Sequence, residues 1–343
     1  MFVRWSSQVI ETDDVGRLPG LGDTVVRRFD APEALDMRFH EVRTKSALNR
    51  VPAASRVPFN WTVNPYRGCS HGCVYCFARN THTYLDFDAG EDFDRQIIVK
   101  INIGDVLARE LRRSTWTHEP VALGTNTDPY QRAEGRYRLM PDIIAALAGS
   151  GTPFSILTKG TTARRDLPLL SVASRAVPVS MGVSIALTDE TIHAGLEPGT
   201  PTPRARLELV RAIVETGLPC QVLVAPILPM ITDSDEQLDH TLGEIAAAGA
   251  TGATVFALHL RPGAREWFLR YLHRNHPQLV EPYQELYCKG SYVTRDYATD
   301  LARRSSVLLR KHGLDRKDRM LRISDTRTAA VPAHLALSEP SLF

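Results

Sequence analysis

The chain has 343 residues, of which 43% are hydrophobic and 23% are charged, and this balance predicts a soluble globular protein with a large core. No apolar run approaches the ~18 residues that a membrane helix needs, and the first residues lack the continuous apolar segment of a secretory signal. The sequence therefore predicts a cytoplasmic protein with no membrane partner. A net charge of +2 neither demands nor excludes a nucleic-acid partner.

The first part of the chain, residues 1–57, is predicted to be an N-terminal extension. It carries a glycine-rich stretch at 16–22, scattered charges and no sustained hydrophobic periodicity. We expect it to be an extended or partly ordered leader, with the ordered body of the protein beginning near residue 58.

From residue 58 to residue 279, short apolar runs alternate with helical stretches. The strands are predicted at 60–66, 121–123, 154–157, 177–185, 220–227 and 253–258. The helices between them are predicted at 138–148, 167–175, 203–216, 235–248 and 264–274. A strand at 96–101 and a helix at 105–113 are either an accessory element or part of the first crossover.

This alternation of strands and helices predicts an α/β fold with a parallel sheet, because parallel neighbours need a crossover that a helix supplies. The preferred architecture is a partial (β/α)6 TIM-like barrel over residues 58–279, and the alternative is a doubly wound open sheet. In either architecture, binding sites form beyond the carboxyl ends of the strands.

The last part, residues 280–343, is predicted to be a C-terminal helical extension with a helix at 296–311. Residues 301–322 hold eight Lys or Arg and two Asp. Such a block is either a solvated helix face or a surface that contacts phosphates. Four tyrosines in the extension could stack on bases or relay a radical, although packing is the plainer role. They are Tyr283, Tyr287, Tyr292 and Tyr297.

Three of the five cysteines lie within eight residues, as Cys69, Cys73 and Cys76. This clustering is not a disulfide framework and indicates a metal or redox centre. Three thiolates on a loop after a strand can converge on one iron-sulfur cluster, with Gly68 and Gly72 allowing the backbone to bend. Three ligands for four irons leave one iron open.

The alternative for the same segment is a structural zinc site, in which His71 or His82 supplies the fourth ligand. The chain would then be a non-catalytic nucleic-acid-binding protein that contains zinc or an iron-sulfur cluster. Metal analysis separates the two interpretations.

The spacing C-x3-C-x2-C, with Tyr75 directly before the last cysteine, resembles the signature of the radical SAM superfamily. The segments Asn64-Pro-Tyr-Arg-Gly-Cys69 and Gly124-Thr-Asn-Thr-Asp-Pro-Tyr130 further resemble the spore photoproduct lyase-like branch, which includes DNA repair photolyases. The resemblance covers residues 58 to about 262 and implies a partial barrel in which the cysteine loop follows the first strand.

The resemblance implies that the three cysteines hold a [4Fe-4S] cluster and that the unique iron is chelated by S-adenosylmethionine. One electron, from a reductant such as flavodoxin or ferredoxin, would cleave the sulfonium and give a 5′-deoxyadenosyl radical. That radical would abstract hydrogen from the substrate, for which a nucleic acid is the candidate.

The resemblance also implies cofactor-binding residues at the strand ends. They are Tyr75, Thr125, Asn126, Thr127, Asp128, Lys159 and Ser184. The polar segment 125–128 is expected to bind the methionyl ammonium, and Lys159 the methionyl carboxylate. Plainer roles exist for several of them: Asp128 as a turn or cap residue, Lys159 as an exposed loop lysine, Ser184 as a hydroxyl bonded within the barrel.

Arg204, close to the start of a predicted helix, could clamp a carboxylate bidentately, although an arginine at a helix start more often faces solvent. Of the two remaining cysteines, Cys220 is expected to be a small buried hydrophobe. Cys288 lies in the C-terminal extension and could approach the site. No second cluster is expected, because two separated thiols cannot hold one.

One departure from the spore photoproduct lyase pattern bears on the reaction. Those enzymes carry a cysteine that returns hydrogen to the product radical, and this chain has Thr125 at the corresponding place. A hydroxyl is a poor hydrogen donor to carbon radicals, so spore photoproduct repair itself is not expected.

Overall fold

The computed structural model describes residues 10–13, 18, 24–29, 34, 36–52, 55 and 57–315. Within these residues it forms two sheets, built from twelve strands. The strands are β1 (Ile10–Asp13), β2 (Thr24–Phe29), β3 (Arg38–Val42), β4 (Leu48–Arg50), β5 (Trp61–Val63), β6 (Tyr66–Arg67), β7 (Gln96–Lys100), β8 (Val121–Leu123), β9 (Phe154–Thr158), β10 (Val179–Ser184), β11 (Cys220–Ile227) and β12 (Gly252–Ala257).

Helices occupy most of the connections between the later strands. They are α1 (Glu91–Arg95), α2 (Ile103–Leu111), α3 (Arg132–Tyr137), α4 (Met140–Gly149), α5 (Leu167–Ala173), α6 (Glu190–Leu196), α7 (Pro203–Glu215), α8 (Asp235–Ala247), α9 (Ala264–Asn275), α10 (Val280–Leu286) and α11 (Arg295–Lys311). Three short 3-10 helices lie at Arg79–Leu85, Thr161–Asp166 and Pro277–Leu279.

The main sheet contains six parallel strands in the order β5-β8-β9-β10-β11-β12, and β4 joins β5 as an antiparallel edge strand. Each parallel strand lies beside the next parallel strand of the chain. A doubly wound sheet would instead reverse its order at a switch point, so this order is that of a (β/α)6 partial barrel. The predicted α/β fold class is confirmed.

A second sheet has the order β1-β2-β3-β7-β6. Its strands pair antiparallel except β3 and β7, which run parallel. Buried side chains of this sheet, such as Phe39 and Val99, belong to the same apolar cluster as Val63 and Phe154 of the main sheet. One continuous core therefore joins the two sheets.

The described part of the N-terminal extension is more regular than its sequence predicts, since β1 to β4 all lie before residue 51. The segment 96–101 is the strand that ties this extension to the barrel, because β7 pairs with β3. The predicted first strand at 60–66 divides into β5 and β6, which belong to different sheets. Pro65 lies between them and has no N–H to give to either sheet. The glycine-rich stretch at 16–22 lies almost wholly outside the described residues.

The C-terminal extension packs on the carboxyl ends of the last strands. The hydroxyl groups of Tyr283 and Tyr287 donate to the carbonyl oxygens of Pro229 and Leu258, at 2.8 Å each, and both rings are buried. Packing is therefore the role of these two tyrosines, and Tyr292 is the exposed member of the series.

Three of the four Lys or Arg in the described part of the basic block form ion pairs with Asp residues. Arg304 lies 2.8 Å from Asp235, and Lys311 lies 2.6 Å from Asp239. Residues 316–322 of the block lie outside the described residues. Among the residues that are described, we found no helix with both the length and the hydropathy to span a membrane.

Candidate functional site

The three clustered cysteines lie on one loop, between β6 and the 3-10 helix Arg79–Leu85. Cys69 and Cys73 are buried and Cys76 is half-buried. Burial raises the pKa of each thiol, and repulsion from Cys76 raises the pKa of the other two further. Thiolates in such a place need positive charge beside them, which the iron of a cluster supplies.

One side of the loop, which we call the strand-end side, is held by residues that follow β8 and β10. The amide of Gln131 bridges the loop, because its Oε1 accepts from Ser70 N and its Nε2 donates to Gly68 O, both at 3.0 Å. Val74 N donates to Leu196 O at 3.0 Å. These bonds fix the loop backbone against two strand ends.

Close backbone approaches also define the strand-end side. A Cβ atom on Gly199 would overlap the carbonyl oxygen of Ser70, and one on Gly160 would overlap that of Tyr130. Neighbouring loops at the strand ends therefore touch through their main chains.

The opposite side of the loop, which we call the crossover side, is held by residues 79–96. Cys69 N donates to Phe93 O at 2.9 Å. The guanidinium of Arg79 donates through Nη2 to Cys73 O at 2.9 Å and through Nη1 to Gly90 O at 2.8 Å. Asp94 Oδ2 lies 2.9 Å from Arg79 Nη2. Burial raises the pKa of Asp94 to about 6, although Arg79 opposes that rise.

The two histidines near the cysteines have other partners. His82 Nε2 lies 2.8 Å from Gln96 O, and His71 Nδ1 lies 3.5 Å from Asp128 Oδ2. In the described part of the chain, no three His, Cys, Asp or Glu side chains are placed to bind a single metal ion. A zinc site needs its ligands on one ion, whereas the thiolates of a cluster bind different irons. Three thiolates are a donor set that iron-sulfur clusters use, and both neighbouring histidines contact other residues.

A charged cluster lies beside the loop on the strand-end side, centred on the buried carboxylate of Glu197. Arg206 Nη2 lies 2.7 Å from Glu197 Oε2, and Lys159 Nζ lies 3.2 Å from Glu197 Oε1. The Tyr75 hydroxyl donates to Glu197 Oε1. His193 Nε2 lies 3.4 Å from Glu197 Oε2. The side chains of Glu197 and Arg206 have no exposed surface.

The cluster sets the charge state of its members. Burial alone would raise the pKa of Glu197, but Arg206 and Lys159 together hold that pKa well below its ordinary value. Burial, followed by the charge of Glu197, raises the pKa of Tyr75. Glu197 is therefore an anion, and Tyr75 is a neutral donor to it.

Three of the residues predicted from the sequence meet in this cluster. Lys159 Nζ donates to Ser184 Oγ at 2.7 Å and to Tyr75 Oη at 3.3 Å. Ser184 Oγ also donates to Ala225 O at 3.3 Å, so the plainer role of this hydroxyl, a bond within the barrel, is present as well. Lys159 is largely buried rather than an exposed loop lysine.

The predicted segment after β8 lies next to the same loop. Asp128 accepts from Thr158 Oγ1 at 2.6 Å, Lys159 N at 2.6 Å and Tyr130 N at 2.8 Å, so it ties the loop after β8 to the loop after β9. Thr127 Oγ1 donates to Tyr66 O at 3.2 Å.

The other two members of that segment differ in exposure, since the side chain of Asn126 is exposed. The Thr125 hydroxyl is buried and has no hydrogen-bond partner among the described residues.

Arg204 is placed apart from the charged cluster. It is exposed and lines a surface cleft of about 360 Å³ between α7 and α8. The arginine that clamps a carboxylate is Arg206, two residues later on the buried face of α7. Cys220 is buried in the main core, as predicted, and Cys288 is exposed.

Sequence reasoning missed Gln131, Glu197, Arg206 and Arg79. A usable signal existed for Arg206, because it lies among Leu207, Leu209 and Val210 on an otherwise apolar helix face. A buried arginine needs an anionic partner. The sequence alone does not say which of the 39 acidic residues that partner is.

The model of the Radical SAM superfamily matches residues 63–244, which include the cysteine loop and the charged cluster. The "Uncharacterized protein Rv2578c" of Mycobacterium tuberculosis is 55% identical over 340 residues, covering 98% of this chain and 100% of the relative. The "Uncharacterized protein ORF301" of Acidianus two-tailed virus is 30% identical over 208 residues, covering 59% of this chain and 68% of the viral protein.

Among solved structures, a spore photoproduct lyase complexed with dinucleoside spore photoproduct superposes with a TM-score of 0.60 and 16% identity, covering 80% of this chain and 78% of that chain. A variant lyase with bound AdoMet and the same dinucleoside gives a TM-score of 0.61 at 16% identity, covering 79% and 78% of the two chains. At this identity, the likeness concerns the fold.

Proposed function

Since this chain belongs to the Radical SAM superfamily, we propose that it is an enzyme that holds a [4Fe-4S] cluster on Cys69, Cys73 and Cys76 and cleaves S-adenosylmethionine reductively. When bound, the cluster and S-adenosylmethionine together supply a 5′-deoxyadenosyl radical that abstracts hydrogen from a substrate. The observation that carries the proposal is the meeting of the buried cysteine loop with the charged cluster around Glu197.

The charge of that cluster suits the carboxylate of the methionyl group. Lys159 and Arg206 are two cations that both pair with the one carboxylate of Glu197, while the neighbouring Asp128 accepts from Thr158, Tyr130 N and Lys159 N, so the ion pairs leave one positive charge without a carboxylate of its own. An added carboxylate balances that charge, and Lys159 is the cation that keeps some exposed surface. Lys159 would therefore bind the methionyl carboxylate. Ser184 and Tyr75, which accept from Lys159 Nζ, would orient the lysine side chain for that contact.

The loop after β8 suits the remaining polar groups of the cofactor. The buried Thr125 hydroxyl has no partner in the described part of the chain, and buried polar groups are nearly always paired when a site is filled. Asn126 and Thr127 lie beside it. Asp128 holds this loop in place through its bonds to Thr158 and Lys159.

We propose a nucleic acid as the substrate. Two aromatic side chains are exposed near the ends of the strands, and each lies against a basic or titratable side chain. Phe77 lies under the guanidinium of Arg261 at 5.1 Å, and Tyr292 lies edge-on to His259 at 4.6 Å. Rings interleaved with cations bind unpaired bases by stacking. The spore photoproduct lyases of similar fold bind a dinucleoside.

The reaction on that substrate differs from spore photoproduct repair, because Thr125 cannot return a hydrogen atom as a thiol does. A one-electron donor such as flavodoxin or ferredoxin is the proposed partner. The cytoplasm, where thiols stay reduced, is the proposed location. We also keep residues 58–279 as the proposed barrel domain, with extensions before and after it.

The decisive experiment is anaerobic reconstitution with iron and sulfide, followed by dithionite and S-adenosylmethionine. We expect a protein with bound iron and sulfide that releases 5′-deoxyadenosine, measured by chromatography and mass spectrometry. Zinc without iron or sulfide after anaerobic purification would instead support the binding-protein alternative. Binding of a fluorescent single-stranded oligonucleotide, measured against salt concentration, tests the substrate class, since phosphate contacts weaken as salt rises.

A further inference from the structure

The buried guanidinium of Arg79 is a cation that the proposed function does not use. The residue has 0% exposed surface and lies between two aromatic rings, 4.7 Å from the Trp267 centroid and 5.3 Å from the Phe93 centroid. It follows Cys76 by three residues and donates to the carbonyl oxygen of Cys73 at 2.9 Å. Its charge is thus fixed beside two of the three cluster ligands.

The positive charge of Arg79 is only partly neutralised in the described residues. Its ion-pair partner is Asp94, whose side chain is 21% exposed and which contacts one end of the guanidinium at 2.9 Å. The Nε donor of Arg79 is buried and has no hydrogen-bond partner among the described residues. An aromatic cage supplies only a weak counter-charge, so the guanidinium acts electrically on the cysteine loop.

The position of the guanidinium gives that action a direction. Arg79 is buried three residues after Cys76 and bonded to the backbone of Cys73, so a negative charge placed on the cysteine loop is stabilised by it. Reduction of a [4Fe-4S] cluster by one electron adds one negative charge at this place.

We propose that Arg79 is a positioning residue that raises the reduction potential of the cluster held by the cysteine loop. This inference rests on the proposed function, because it assumes that the cluster binds there. The potential of an iron-sulfur cluster depends on nearby charge, among other influences, and Arg79 supplies a buried positive charge beside the loop. Low dielectric in the buried surroundings strengthens the effect.

The plainer role for Arg79 is structural, since its bonds to Cys73 O and Gly90 O tie two segments together. A structural role predicts loss of cluster binding on substitution. It predicts no systematic shift of potential with charge in variants that still bind the cluster. The two roles therefore separate in a measurement of the potential.

The test compares the midpoint potentials of reconstituted Arg79→Met, Arg79→Lys and Asp94→Asn with the unaltered protein, using a mediated redox titration followed by electron paramagnetic resonance. We expect a more negative potential for Arg79→Met, since the cation is gone. Arg79→Lys should lie closer to the unaltered protein. Asp94→Asn should shift in the positive direction, because it removes the counter-charge and leaves the guanidinium.

The matched control is Arg95→Met, which removes an exposed arginine that pairs with Glu91 at 3.4 Å, next in sequence to Asp94. Its potential should not move. Equal potentials in Arg79→Met and the unaltered protein would overturn the inference, and so would Arg79→Met and Asp94→Asn shifting in the same direction. If Arg79→Met does not assemble a cluster, the sign of the Asp94→Asn shift decides. An unaltered protein that binds no cluster overturns the proposed function and, with it, this inference.

Discussion

The two sides of the cysteine loop use charge differently. On the strand-end side, Glu197 forms ion pairs with Lys159 and Arg206 and accepts a hydrogen bond from Tyr75, in a cluster that reaches the strand ends. On the crossover side, the guanidinium of Arg79 lies between aromatic rings, with one carboxylate beside it. The first arrangement suits a polar ligand that binds and dissociates. The second suits a permanently bound redox centre whose charge changes by one electron.

Burial and charge have separate consequences at the two sides. At Glu197, the anion persists because two cations outweigh the cost of burial. At Arg79, aromatic rings, carbonyl oxygens and Asp94 surround the buried guanidinium in place of water. Substitutions on each side should therefore have different consequences.

The cysteine loop itself gives the largest effect, since it lies between the two sides. Cys73→Ala should lose its bound iron and sulfide after reconstitution and should release no 5′-deoxyadenosine, because the cluster loses one of three ligands. Iron and sulfide assays measure this. Cys288→Ala, at an exposed cysteine of the C-terminal extension, is the control and should retain both. Full iron content in Cys73→Ala would contradict the assigned ligand set.

The strand-end side depends on its buried ion pair for stability. Arg206→Met should lower the free energy of unfolding by about 3–5 kcal/mol, because it leaves Glu197 buried with less compensation. Urea denaturation followed by circular dichroism measures the change. Arg211→Met, on the same helix, removes an exposed pair with Glu208 and should cost about 0–1 kcal/mol. Similar losses in the two variants would show that burial of the pair is unimportant.

Lys159 tests whether the same side binds the cofactor. Lys159→Met should weaken binding of S-adenosylmethionine to the reconstituted, unreduced protein about ten- to a hundredfold, since a charged hydrogen bond contributes about 1.5–3 kcal/mol. Isothermal titration calorimetry measures it. Arg204→Met is the companion variant, and its exposed position predicts unchanged affinity. A loss at Arg204 with none at Lys159 would reverse the assignment of the carboxylate contact.

The smallest effect comes from Lys100, at the end of β7 and just beyond the crossover side. Burial lowers the pKa of Lys100 from 10.5 to about 8, while its Nζ donates to Asn64 O at 2.9 Å. The unfolded chain therefore binds more protons between about pH 8 and 10.5, so this residue makes stability rise with pH in that window, by at most about 1.4 kcal/mol per pH unit. Lys100→Met should remove that contribution.

The contribution of Lys100 is measured from denaturation midpoints at several pH values, in the unaltered protein and in Lys100→Met. Tyrosines and other groups titrate equally in both proteins, so the difference isolates the lysine. Parallel curves across pH 8–10 would show that the ammonium is not desolvated in the folded protein.

Much of the barrel follows from local sequence. The run 220–227 is predicted as a strand with the bounds that β11 has, because apolar and β-branched residues end at Gly, Pro and polar positions. The second sheet escapes such reasoning. Its strands β2 and β3 are short and charged; β2 pairs with β3, and β3 pairs with β7, more than fifty residues further along the chain. Contacts of that range leave no periodic signal.

Some residues of the candidate site can likewise be predicted from local sequence, and others cannot. The cysteines and Lys159 are recognisable because they follow strands in compact polar motifs. Glu197 and Arg206 are harder, since a loop glutamate and a helix arginine look solvent-exposed until the fold brings them together. Whether Arg204 or Arg206 contacts the site depends on which face of α7 packs on the barrel. The two side chains lie on roughly opposite faces of the helix, because they are two residues apart.

The close backbone approaches at Gly160 and Gly199 have a consequence for reading mutational scans. Adding one methyl group at either position would push adjacent loops apart, and with them the Ser70 and Tyr130 backbones that border the cysteines and the loop after β8. Alanine there should abolish turnover without removing any reacting atom. Loss of activity on substitution of either glycine would therefore reflect the spacing of the loops. A scan that ranks positions by lost activity would wrongly identify these glycines as catalytic residues.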